Sequence, residues 1–229
     1  MSYTYTKFKA YILSVPDTDR RTNAENLKVL LENSGISTKI LDGFYYKQRD
    51  VISDLYSKGL IYDCPDKTLS LSQIGCFLSH RQAWEHIIME DDQEVFSIII
   101  EDDMTLLDPS EFSIDYLLND INKQPVFHGM VLWKHPAQFQ ENPKYITENL
   151  LQFYYQWGLC VYGITRELAR ELVSTITKID IPVDQILFGR IFPNISSGIF
   201  MAAQEHFLNL GILSSYETEE KQFKSLIWE

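Results

Sequence analysis

The stretch Phe96-Ser97-Ile98-Ile99-Ile100-Glu101-Asp102-Asp103 constrains this chain more than any other. A near-continuous apolar run of this length reads as a strand of a parallel sheet, buried on both faces. Three carboxylates follow it without a break. In open α/β sheets, ligands gather at the carboxyl ends of the strands. The sequence therefore delivers three acids to the place where a binding site forms. Three crowded negative charges are unfavourable without a cation or protons to relieve them. The triplet reads as a divalent-metal station; the competing reading is a solvated acidic turn. If the strand continues through the triplet, side chains alternate, so Glu101 and Asp103 share one side as metal ligands. Asp102 then points the other way, toward another part of the ligand. Manganese or magnesium suits such oxygen donors, with phosphate completing the shell.

The rest of the chain fits one α/β domain. Its 229 residues suffice for one sizeable core and are few for two. A hydrophobic content of 45% with 23% charged residues indicates a globular chain. The formal net charge of −12, with no basic stripe, argues against nucleic acid and against adsorption to an anionic membrane. No run is long enough for a membrane helix, and Met1 to Lys9 lacks the pattern of a signal peptide. Cys64, Cys76 and Cys160 are odd in number and widely spaced, as expected of reduced core thiols. A cytoplasmic protein, peripheral to the inner membrane at most, is the expectation.

In chain order, Lys9 to Ser14 reads as the first strand. A helix carrying Ala24, Leu27, Leu30 and Leu31 follows and is capped by Gly35. Ser37 to Leu41 is a second strand closed by Asp42-Gly43. No G-x-G-x-x-G or G-K-[ST] is present. Phe44 to Lys67 reads as a long excursion. Ile74, Phe77, Leu78, Trp84, Ile87 and Ile88 form a helical stripe with Ser72 as its N-cap. Gly75 in that stripe suits the close approach of a backbone or ligand. After the acids, Ile114 to Ile121 is amphipathic and Val126 to Trp133 reads as a strand. Ala137 to Asn149 is loop-like, and Trp157 to Ile164 is a further strand. Thr165 caps the next helix, Gln185 to Phe188 is a short apolar helix, and Ile195 to Ala202 is a late strand.

The order of several blocks carries a resemblance. Ile12-Leu13-Ser14 precedes Arg20-Arg21, then Leu41-Asp42-Gly43, then Ile74-Gly75-Cys76-Phe77-Leu78-Ser79-His80 with Trp84. Ile100-Glu101-Asp102-Asp103-Met104, Trp157-Gly158 with Tyr162, and Pro182-Val183-Asp184 follow. This arrangement resembles glycosyltransferase family 25, which includes lipooligosaccharide galactosyltransferases and relatives of collagen galactosyltransferases. The resemblance implies a single GT-A-like domain with a mostly parallel central sheet flanked by helices. Residues of about 10–125 would form a donor-nucleotide half, about 126–215 an acceptor half, and 216–229 a peripheral tail. The implied activity is inverting transfer of a hexose, galactose from UDP-galactose, to a saccharide hydroxyl, with manganese as the metal.

In that chemistry, negative charge grows on a departing diphosphate, and a cation on Glu101 and Asp103 would stabilise it there. Single-displacement inversion needs a base beside the acceptor hydroxyl. Asp184 is the candidate, against a role as helix N-cap, with Glu205 in reserve. Ser14 and Asp42, at strand ends, are placed for the uridine, and Arg21 for the diphosphate. The resemblance sets Ser79 and His80 near the donor, whereas a lone helical histidine by itself reads as a packing residue. Trp157 reads as core or as an acceptor-stacking ring. A basic C-terminal tail of the kind seen in bacterial members is absent from the end at Trp228-Glu229, which argues against a membrane-bound acceptor. Two alternatives use the same acids: an inactive nucleotide-sugar or carbohydrate-binding protein, and a metal-dependent phosphohydrolase.

Overall fold

A computed structural model describes residues 4–16, 19–44, 57, 69–135, 142–155 and 158–210. Its first three strands are β1 (Lys7–Ser14), β2 (Ser37–Asp42) and β3 (Val95–Glu101). They pair in parallel, with β1 in the middle. The other side of β3 pairs antiparallel with β7 (Val161–Ile164). Beyond it lie β5 (Gly129–Val131), β8 (Ile199–Ala202) and β6 (Leu150–Gln152), giving the order β2-β1-β3-β7-β5-β8-β6. The pairings make five of the seven strands point one way, with β7 and β6 reversed. A small ribbon, β4 (Met104–Leu106) with β9 (Phe207–Asn209), completes the strands.

Alternation along β3 divides the core. Ile99 joins Tyr11, Tyr162 and Met201 on one face, beneath α2 (Leu71–Ile88) and α4 (Arg166–Thr175). Phe96, Ile98 and Ile100 join Ile12 and Met130 on the other, beneath α1 (Asp19–Asn33) and α3 (Asp115–Asn122). The period-two pattern of a strand buried on both faces thus builds a three-layer α/β/α domain.

Local chemistry explains the helix ends. Helix α1 buries Ala24, Leu27 and Leu31, and Gly35 beyond it adopts φ 82°, the left-handed geometry of a helix C-terminus. Helix α2 is capped by Ser70, not Ser72. The Ser70 hydroxyl accepts from Gln73 N–H, and Gln73 Oε1 accepts from Ser70 N–H at 2.8 Å, a reciprocal capping box that the glycine three residues after Ser72 has no side chain to close. Thr165 caps α4 as expected. Arg81 donates to the carbonyls of Ile176 and Val173, and Arg166 donates to that of Ile88. Each helix of the pair α2–α4 thus has its C-terminal carbonyls answered by an arginine from the other.

Several expected elements differ. Strand β5 is confined to Gly129–Val131, and Gln185–Ile191 is a π-helical segment running into a 3-10 turn at Phe192–Gly198. The late strand therefore starts at Ile199. Strand β6 arises just after the loop-like stretch, and β4 and β9 are too short to show a period. The excursion after Phe44, Cys64, Trp157 and the tail from Tyr216 lie outside the described residues.

Candidate active site

Strand β3 ends at Glu101, and Asp102-Asp103 form a turn into β4, so the extended chain does not continue through the triplet. The turn is held from three sides. Asn23 of α1 donates to the carbonyls of Asp102 and Met104, Leu210 N–H donates to Asp103 O, and Glu101 N–H donates to Cys160 O. Glu101 follows Ile99 on the α2 face of the sheet, and there it meets His80.

A chain of hydrogen bonds aims His80. The indole of Trp84 can only donate, and it does so to Tyr162 Oη at 2.8 Å. Tyr162 Oη lies 3.0 Å from His80 Nδ1, and on the other side of the ring an ionised Glu101 can only accept, so with one ring proton Nδ1 accepts from the tyrosine. The ring proton then sits on Nε2, 3.3 Å from Glu101 Oε1. Burial pushes Glu101 up, but His80, Arg20 and the Cys160 thiol outweigh it and hold the carboxyl below its ordinary range. His80 is fully buried.

Arg20 supplies the positive charge. Its Nε lies 2.9 Å from Asp102 Oδ1 and its Nη2 lies 2.9 Å from Asp103 Oδ2. Arg21, the residue expected at the diphosphate, pairs with Asp42 at 2.7 Å. Adjacent helical residues are rotated by about 100°, so one arginine faces the acids and the next faces the end of β2. Sequence reading assigned Arg20 no role of its own, because the phase of α1 relative to the sheet is a tertiary fact. Burial raises Asp102, against Arg20 and the Ser14 hydroxyl. Burial raises Asp103 further, to about 7, despite Arg20, with Glu101 and Asp102 adding to the rise.

One carboxylate oxygen each from Glu101 and Asp103 lies, with Cys160 Sγ, within a mutual 4.8 Å. Asp103 Oδ1 is buried without a hydrogen-bond partner among the described residues. Two converging carboxylates, one of them with an unpartnered oxygen among the described residues and a raised proton affinity, could hold a manganese or magnesium ion. Alternation fails as the reason for their pairing, yet the turn returns Asp103 to the same space.

The other candidates fall around this centre. Ser14 is buried at the end of β1, and its carbonyl accepts from Gly43 N–H at 2.8 Å. Asp42 is exposed at the end of β2 with Arg21. The Ser79 hydroxyl donates to Gly75 O and accepts from Phe44 N–H. That clamps the loop after β2 onto α2, which makes Ser79 a positioning residue. Gly75 has the expected reason, since a Cβ there would meet Phe44 O at 2.6 Å. Asp184 stands at an N-cap position, but its side chain makes no capping bond. Its Oδ2 accepts weakly from Gly158 N–H at 3.4 Å. Glu205 is exposed on the turn between β8 and β9.

Cys76, read from sequence as a core thiol, lies beside His80 and Glu101. It lies one helical turn before His80 and is only part-buried. Burial pushes its thiol well above the ordinary range, and the nearby charges of Glu101, Asp184 and Asp103 push it further, against Arg20. Asp184 therefore belongs to the same neighbourhood as the acids. The block from Gly75 to His80 carried the clue, since positions 76 and 80 share a helix face.

Residues 8–187 match the family described as glycosyltransferase family 25 (LPS biosynthesis protein). The chain belongs to glycosyltransferase family 25. The α/β domain with a central sheet flanked by helices is the architecture expected. A curated relative, procollagen galactosyltransferase 2 of Mus musculus, is 28% identical over 126 residues. That match covers 53% of this chain and 20% of the relative, so the chain spans a small part of that protein. Among solved structures, a glycosyltransferase involved in the glycosylation of the major capsid of PBCV-1 superposes with a TM-score of 0.46 at 10% identity. The superposition covers 85% of this chain and 81% of that one. No helix among the described residues is long and apolar enough to cross a membrane.

Proposed function

We propose that this family 25 protein is a metal-dependent inverting hexosyltransferase, moving galactose from UDP-galactose to a saccharide hydroxyl. The observation that carries the reading is the convergence of Glu101 and Asp103 at the carboxyl end of β3, with Asp103 Oδ1 unpartnered among the described residues. Manganese held by these two carboxylates would supply a positive charge to the leaving diphosphate.

The chain's own residues prepare that event. Trp84, Tyr162 and His80 fix the orientation of Glu101. Arg20 offsets the charge of Asp102 and Asp103, so an anionic donor meets less repulsion there. Ser14 and the Asp42–Arg21 pair border the ends of β1 and β2, where a uridine would lie, with Ser79 holding the intervening loop. Asp184, free of capping duty, is the base that takes the acceptor hydroxyl proton. The galactose reading is supported by the name of the murine relative.

Consumption of UDP-galactose, measured with and without manganese and with candidate saccharide acceptors, tests the reading. Acceptor-dependent, manganese-dependent release of UDP is expected. Phosphate release without an acceptor would indicate a phosphohydrolase, and donor binding without turnover an inactive binder; either overturns it.

A further inference from the structure

We infer a second cation site, for a borderline-soft divalent ion of the zinc class, formed by Cys76, His80 and Glu101. One donor atom from each lies within a mutual 4.8 Å. Four-coordinate zinc takes sulfur, imidazole nitrogen and carboxylate oxygen at about 2.0–2.3 Å, and sites with three protein ligands keep a fourth position open. The spacing suits this, because Cys76 and His80 are four apart and share a face of α2.

The second line of observation is the support behind His80. Metal-binding imidazoles are oriented by a hydrogen bond at the other nitrogen. Here Nδ1 faces Tyr162 Oη at 3.0 Å, Trp84 braces that hydroxyl, and Nε2 is left facing Glu101. Binding through Nε2 requires the ring proton to move to Nδ1. Tyr162 Oη, with two lone pairs, then accepts from both His80 and Trp84. The Cys76 thiol gives up its proton to solvent as the sulfur–zinc bond forms, so one proton is released per ion. Glu101, Asp103 and Asp184 around Cys76 make the neighbourhood attractive to a cation. Cys160 is already engaged, since Asn209 Nδ2 donates to its sulfur at 3.1 Å. Among the described residues, that leaves Cys76 as the thiol available to coordinate.

The site differs from the proposed manganese station in chemistry and overlaps it at Glu101. A soft ion bound at Cys76 and His80 draws on the carboxylate that the hard ion also needs, so zinc opposes manganese.

Cobalt(II) and zinc chloride test this on the intact protein, and neither measurement requires transfer activity. Cobalt added to the unaltered protein should give a near-ultraviolet thiolate-to-cobalt charge-transfer band. The band should persist in Cys160→Ser and vanish in Cys76→Ser. Zinc affinity, read by competition with a chelating dye, should fall at least about tenfold in Cys76→Ser, the lower end of what lesser changes around a metal cost. Asp103→Asn should keep zinc affinity and lose manganese affinity. Absence of the band from the unaltered protein overturns the site, as does equal zinc affinity with and without Cys76. Loss of manganese binding alone would strike the transferase reading and leave the zinc site standing.

Discussion

The first three strands and the last four are built differently. Strands β1 and β3 have eight and seven residues, run parallel and are buried for nearly their whole length. Strands β5, β6, β7 and β8 have three or four residues and mix directions. Long parallel strands have their carboxyl ends in register, so Ser14, Asp42 and Glu101 arrive at one edge. The short strands leave their chemistry to what joins them: Asp184 enters from the start of a π-helical segment and Gly158 from the chain before β7. The first region offers a fixed charged platform and the second a shaped wall. The two meet where β3 pairs with β7, beneath the chain of Trp84, Tyr162 and His80.

The sharpest way to break this division is at the acids. Asp103→Asn should lower kcat for transfer about 10²–10³-fold or more, the cost of losing a major stabiliser of developing charge, and should abolish manganese-dependent UDP binding. Near-normal turnover would remove the metal role. Asp184→Asn should lower transfer about 10²-fold or more while sparing manganese-dependent UDP binding. If both variants lose donor binding equally, platform and wall are not separate in function.

The seam itself can be tested by stability. Tyr162→Phe leaves the Trp84 indole N–H without an acceptor and His80 Nδ1 without a donor, deep in the core. A loss of about 1–3 kcal/mol in urea unfolding is expected. Gly163→Ala places a methyl 2.4 Å from the Phe96 ring across the β3–β7 pairing. It should cost about 1–3 kcal/mol through overpacking. A neutral result at both positions would mean the two regions are joined more loosely than this packing implies.

The platform can also be probed through a pH dependence. Burial raises native Asp103 to about 7, whereas in the unfolded chain it titrates near ~3.9. Between these values the native state holds the extra proton, so this residue's contribution to stability declines as pH rises. Relative to the unaltered protein without metal, Asp103→Asn should gain stability from about pH 4 to pH 8. A gap that is flat across that range would mean Arg20 already neutralises the group.

Legibility followed the same division. The run before Glu101 announced a doubly buried strand, and Gly35 and Thr165 marked helix ends through local stereochemistry. Gly75 was readable as a point of close approach. Strands of three residues, such as β4 and β9, cannot display a period and were invisible. The N-cap was displaced by two residues because Ser70 and Ser72 are chemically equal, and only Gln73 distinguishes them.

Residue order alone determined that apolar strands end in acids at one edge of an α/β sheet, because alternation and burial are properties of the chain itself. The tertiary structure decided that Arg20 rather than Arg21 meets those acids, that a turn returns Asp103 beside Glu101, and that Cys76 and Asp184 join them. These outcomes depend on helix phase and on contacts between residues far apart in the chain. Neither is encoded in any local pattern, and both are fixed only when the two faces of the sheet are packed.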